Sequence, residues 1–347
     1  MSVRMILICL ACLIGAPAWP QGFAGLGEQA DGFAVPARGR ALDFPTDHGA
    51  HPEYRIEWWY VTANLRGADG RDYGIQWTLF RSALAPVATD GWDSPQIWMG
   101  HAAITTPEAH FVAERFARDG VGQAGAIADP YQVWIDDWAM AGADVSDVAL
   151  RARGDEFSYD LRLSADGPLV AHGDAGYSVK SASGQASYYY SQPFYEVAGT
   201  LNLPDGPVAV RGQAWLDREW SSQPLDPGQR GWDWVSLHFD DDARMMGFQL
   251  RQEDGDAYTS GTWISPDGGA APMADGSVIL TPLAETTVAG REVPIKWRVE
   301  VPARGVDVEI TALNPNAWMD TLFAYWEGPV RITGTHNGTG YLEMTGY

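Results

Sequence analysis

The stretch Trp58-Trp59-Tyr60-Val61-Thr62-Ala63-Asn64-Leu65-Arg66-Gly67-Ala68-Asp69-Gly70-Arg71-Asp72-Tyr73-Gly74-Ile75-Gln76-Trp77-Thr78-Leu79 decides the fold class. Trp59, Val61, Ala63 and Leu65 alternate with Tyr60, Thr62 and Asn64. After the turn, Tyr73, Ile75, Trp77 and Leu79 alternate with Gly74, Gln76 and Thr78. Period two is the mark of a half-buried strand. Asp69-Gly70 supplies the positive-φ positions that a hairpin turn needs. The alternation recurs at Phe157, Tyr159, Leu161 and Leu163, at Ile295, Trp297, Val299 and Val301, and at Val306, Val308 and Ile310. Asp-Gly pairs at 205, 254, 267 and 275 punctuate the later strands. Helical periodicity is weak, with one short helix expected over 109–117. Many short strands with closely spaced turns predict an all-β sandwich or barrel.

The chain also resembles itself. Trp58-Trp59-Tyr60-Val61 leads through a turn to Gly74-Ile75-Gln76, and Trp232-Asp233-Trp234-Val235 leads through another to Gly247-Phe248-Gln249. At these offsets the two hairpins differ by one turn residue. Ala214-Trp215-Leu216-Asp217 closes the first half as Gly340-Tyr341-Leu342-Glu343 closes the second. A duplicated β unit follows, jointed in Ser221 to Gly231. A barrel of about eight strands removes its edges and holds one small ligand, as in lipocalins. The 16 Trp residues suit an apolar cavity with rigid walls.

Composition narrows the setting. Met1 to Arg4 is short and basic, Met5 to Gly15 is apolar, and Ala16-Pro17-Ala18 is a small-x-small site, together read as a secretory leader over residues 1–18. A periplasmic or secreted location is therefore expected. Acylation of Cys12 fits less well, since Cys9 stands where a lipobox has Leu. Cys9 and Cys12 are the only cysteines, so stability beyond the leader must come from the core. The net charge of −22, with Lys180 and Lys296 as the only lysines, repels nucleic acid and anionic lipid.

Three clusters carry the candidate chemistry. In Asp47-His48-Gly49-Ala50-His51-Pro52-Glu53-Tyr54-Arg55-Ile56-Glu57, His48 and His51 with nearby carboxylates could ligate a metal. Three-residue spacing favours convergence on a helix, however, and Gly49 and Pro52 favour a loop. The histidines are then expected to plug the first barrel by hydrogen bonds, and no metal is assigned. In Trp215-Leu216-Asp217-Arg218-Glu219-Trp220, alternation puts Trp215, Asp217 and Glu219 on one face. Turned into an aromatic cavity, a carboxyl there would gain proton affinity and act as an acid; the alternative is pairing with Arg55, Arg81 or Arg218. In Ser187-Tyr188-Tyr189-Tyr190-Ser191, Tyr188 and Tyr190 share a face and could guide a ligand. No Gly-x-Ser-x-Gly elbow, His-Glu-x-x-His or phosphate-binding glycine loop occurs.

Phe44-Pro45-Thr46-Asp47-His48-Gly49-Ala50-His51-Pro52 followed by Glu57-Trp58-Trp59-Tyr60 resembles the opening of the AttH and carotenoid 1,2-hydratase family. So do Trp98-Met99-Gly100-His101-Ala102, Trp215 to Trp220, and the ending from Tyr325-Trp326-Glu327-Gly328 to Tyr347. The resemblance covers roughly 41–347 and implies two consecutive lipocalin-like (calycin) β-barrel domains, at 41–222 and 223–347 after a linker at 19–40. It implies an exported protein that binds a hydrophobic lipid- or isoprenoid-like molecule for an envelope ABC-type transport or attachment system. Its hydratase branch implies instead a cofactor-independent addition of water to an alkene. The resemblance carries the proton donor to Asp217, while Tyr188 and Tyr190 stand near the hydratases' His-x-Trp pair.

The expected catalytic set is Asp217, Glu219, Tyr188 and Tyr190. The expected ligand contacts are Trp59, Trp77, Trp215, Trp220, Glu57, His48 and His51, with no cofactor. Because no metal is assigned to His48 and His51, adding chelator should leave the melting temperature unchanged; a fall would identify a bound ion.

Overall fold

A computed structural model describes residues 30–223, 225, 226 and 228–347; the leader expected over residues 1–18 lies outside them. The described residues form a 13-stranded and a 10-stranded antiparallel sheet, each curled into a near-barrel. Helix among them is confined to short 3-10 turns such as Thr46–His48.

The quoted hairpin is present as strands Ile56–Gly67 and Asp72–Ala83, with Gly70 at φ 81° in the turn. On its other side Ile56–Gly67 pairs with Gly206–Ser221, so the half's opening and closing long strands are neighbours. The second half repeats this plan: Gln229–Phe239 lies between Arg244–Gln252 and Gly338–Met344. The duplication read from sequence is thus a duplication of topology. Its hairpins differ more than expected, because Val61 faces Trp77, 16 residues on, whereas Val235 faces Gly247, only 12 on.

The helix expected over 109–117 is instead the strand His110–Arg118, paired with Gln96–Thr105. Phe111 and Ala113, two apart, both pack against the first core. That packing overrides the helix-favouring alanines and glutamate of the segment.

Each sheet encloses its own core. Trp59, Val61, Ile75, Trp77, Leu79 and Trp138 fill the first, and Val235, Leu237, Trp297, Val299 and Trp326 fill the second. A third cluster joins the domains and contains Tyr60, Tyr189 and Trp215 with Trp234, Phe248 and Tyr341. The central strands are therefore buried on both faces, as the burial of Trp59, Tyr60 and Val61 in succession shows. Approach is closest at Gly74, where a Cβ would sit 2.6 Å from Pro329 of the other domain. Only a glycine lets the sheets meet there.

Trp77 is fully buried within the first core and not at the joint. Trp77→Ala is expected to cost about 3–5 kcal/mol in denaturant unfolding and to leave ligand retention in the folded protein unchanged.

Candidate functional site

Alternation along Gly206–Ser221 places Trp215, Asp217 and Glu219 on one face, as expected, and that face looks out of the first barrel toward the second domain. Leu216, Arg218 and Trp220 take the other face. The cavity formed there is about 120 Å³ and lies between the domains. Its size approaches that of cavities that admit one aromatic ring, about 150 Å³. Trp58, Tyr60 and Tyr189 of the first domain and Trp232, Trp234 and Phe248 of the second line it, with Asp217, Glu219 and Glu343.

Asp217 is buried and forms no ion pair among the described residues. It accepts hydrogen bonds from Tyr189 Oη at 2.5 Å, from Trp215 Nε1 at 2.6 Å and from Ser191 Oγ. Burial pushes its carboxyl up to about 7, and the three donors pull it back only in part. Ser191 spends its single hydroxyl proton on Asp217, so its lone pair accepts His172 Nε2–H at 2.6 Å. His172 Nδ1 then accepts from Thr262 Oγ1 of the second domain at 2.8 Å. Burial, then Lys180, brings this imidazole down to about 3, which keeps it neutral. Trp234 Nε1 donates to Tyr189 Oη at 3.1 Å. Both domains thus hold the acid's supporting donors.

Glu219, expected beside Asp217, also faces the cavity. It is ion-paired to Lys180 at 2.8 Å and accepts from Ser187 Oγ. The Lys180 ammonium lies 4.4 Å from the Phe248 ring centroid and 4.7 Å from that of Tyr189, so these ring faces already receive a cation. Glu343 accepts from Trp232 Nε1 at 2.9 Å and is likewise pushed by burial up to about 7.

Tyr188 and Tyr190 do not join this group. The register sets Tyr189 opposite Glu219, Ser191 opposite Asp217 and Tyr190 opposite Arg218, so the expected pair lies on the wrong face. Tyr188 binds the backbone of Ala37, and Tyr190 binds His48 Nδ1 at 2.7 Å. Trp59 and Trp77, expected as ligand walls, are core residues of the first barrel. Trp220 stacks on His51 with centroids 4.1 Å apart and packs with Tyr54, Tyr188 and Tyr190, whereas Trp215 alone of the expected tryptophans reaches the domain joint.

His48, His51 and Glu57 belong to a polar plug at the barrel end, and of these Glu57, with Arg81, also reaches the wall of the cavity. Glu57 is bound by Arg81, by Arg218 and by the backbone N–H of His51 at 2.8 Å. Burial opposes its charge, but the two guanidinium groups hold its carboxyl well below the usual range. His51 bridges Glu57 and Asp47 at 3.1 Å each, and burial brings His48 down to about 4. Of the arginines considered as partners for Asp217 or Glu219, Arg81 and Arg218 serve Glu57 instead. Among the described residues no group of three or more His, Cys, Asp or Glu is arranged to hold a metal ion.

Sequence reasoning missed Tyr189, Ser191, His172, Trp234 and Glu343. Two signals were present: the parity of 187–191 once paired with 217–219, and the alignment of Asp217 with Glu343. His172 carried none, since a short loop strand brings it in from outside any pattern.

Fold and cleft together define a two-domain lipocalin-like protein with a buried acid between its barrels. The chain belongs to the AttH-like family, whose profile matches residues 35–347. A crystal structure from Nitrosomonas europaea, named as a candidate AttH, is 33% identical, with a TM-score of 0.83 over 91% of this chain and 99% of that one. Kievitone hydratase from Nectria haematococca shares the fold at 12% identity, with a TM-score of 0.68 over 91% of this chain and 96% of its own. CghA shares it at 12% identity and a TM-score of 0.54, with the same coverages. No curated protein sequence matches the chain.

The raised Asp217 carboxyl has a consequence for stability. Its contribution is fully present below the ordinary carboxylate range and is lost as pH rises to about 7. Buried histidines with lowered pKa, such as His172, work in the opposite direction, so the comparison must be with Asp217→Asn. That variant should gain melting temperature relative to wild type between pH 4 and pH 7; a constant difference would mean that Asp217 is ionised throughout.

Proposed function

We propose that this protein binds an apolar, unsaturated molecule between its two barrels and protonates it from Asp217. The chemistry is cofactor-independent hydration of an alkene, or its reverse. The observation that carries this reading is a buried carboxyl, up to about 7, at the wall of a ring-lined cavity. A carboxylic acid of that strength is half protonated near neutral pH, where a general acid works best.

Asp217 gives its proton to one alkene carbon, and the π pair forms the new C–H bond. The positive charge left on the neighbouring carbon meets ring faces of the kind that already hold the Lys180 ammonium. Ring faces contribute about 2 kcal/mol to a desolvated cation, so the acid does the larger share. Water then captures the cation. The fold shared with a protein named a hydratase is consistent with this, and the leader-like first 18 residues support an envelope setting.

Organic extraction of the purified protein followed by mass spectrometry should release an apolar alkene. Offered an acyclic carotenoid such as lycopene, wild-type protein should hydrate it. Asp217→Asn should lose about 10²- to 10⁴-fold in rate while still retaining the ligand. Retention without turnover in wild type would leave carriage for an envelope ABC-type system as the function. Neither retention nor turnover would remove both.

A further inference from the structure

Residues 217 and 343 occupy one position of the internal duplication. Tyr60 faces Asp217 and Val61 faces Leu216 in the first domain; Trp234 faces Glu343 and Val235 faces Leu342 in the second. The surroundings are duplicated too. Trp215 Nε1 donates to Asp217 at 2.6 Å and Trp232 Nε1 to Glu343 at 2.9 Å. A tyrosine lies near each, but only Tyr189 gives its proton to the acid it accompanies; Tyr60, near Glu343, gives its proton to Glu327. Since the two domains face each other, both carboxyls reach one cavity.

We propose that Glu343 is the base that partners Asp217, its carboxylate taking the proton from the water that adds to the substrate. This rests on the hydratase reading above. Asp217 loses its proton to carbon and becomes a carboxylate. The water oxygen forms the C–O bond and gives one proton to Glu343, which becomes the acid. Substrate and water are consumed in equal number, and the proton returns from Glu343 to Asp217 through water in the cleft before the next turnover.

The neighbouring charges favour this division of labour. Burial, and then the charges of Asp217 and Glu219, raise the proton affinity of Glu343, while Trp232 and Tyr60 oppose them. Two carboxyls that line one cavity do not both ionise readily, and Glu327, across the strand pair, couples to Glu343 as well. One acid and one base is the state the reaction needs. The other acids are otherwise committed. Glu219 is tied to Lys180. Glu327, directly across the strand pair from Glu343, is bonded by Tyr60 and lies outside the cavity wall.

Two measurements test the assignment. In carboxyl-labelled protein followed by carbon NMR, Asp217→Asn should lower the titration midpoint of Glu343 by about one pH unit. An unmoved midpoint overturns the pair, whatever the activity. With lycopene in heavy water, Glu343→Gln should still place deuterium on the alkene but lose about 100-fold or more in hydration kcat, with KM changed less than about threefold. Wild-type hydration by Glu343→Gln, or loss of deuterium incorporation together with hydration, overturns it. The titration needs no substrate, so failure of the pair and failure of the hydratase reading are read separately.

Discussion

Burial on both faces of the paired stretches 56–63 and 214–221 is the constraint on which the rest of the molecule depends. One face closes the first barrel around Trp59, Val61 and Leu216. The other is covered by the second domain through Trp215, Tyr60, Trp234 and Tyr341. A single sheet in water would have left Asp217 solvated and ionised at neutral pH. Covered by a second sheet, the same side chain loses water and gains proton affinity.

The run Asp217-Arg218-Glu219 shows how little sequence adjacency means across a strand. Arg218 points into the first barrel, where it binds Glu57 and lies 3.8 Å above the Trp59 ring. Its charge is spent there, together with that of Arg81, on a fully buried carboxylate. Removing Glu57 would leave two buried guanidinium groups without their carboxylate, at a cost of about 3–5 kcal/mol. With the guanidinium groups of Arg81 and Arg218 on Glu57 and the Lys180 ammonium on Glu219, the three hydrogen-bond donors to Asp217 are neutral. One strand pair thus carries two buried carboxyls with opposite electrostatics: Glu57, driven down by guanidinium groups, and Asp217, driven up by desolvation.

Duplication supplies the second ingredient. Two copies of one β unit, facing each other, present corresponding residues to a shared space. Asp217 and Glu343, Trp58 and Trp232, and Tyr60 and Trp234 all reach the cavity this way. His172 and Thr262, which come from different domains, complete a hydrogen-bonded chain to Asp217, so the acid's setting exists only when the domains are docked.

Alternation and turn chemistry along 58–79 were enough to determine an all-β chain, and the recurrence near residue 232 determined its doubling. Parity alone also put Trp215, Asp217 and Glu219 together. These are local consequences of a pleat whose side chains repeat every two residues. What parity cannot say is which side of a strand is the inside, and for a strand covered on both faces the question has two answers. Only the tertiary structure decided that the acid looks between the barrels, that Tyr189 and not its neighbours accompanies it, and that Trp59 and Trp77 are packing. The physical reason is that docking of a second sheet, through contacts far apart in the chain, sets what is dry.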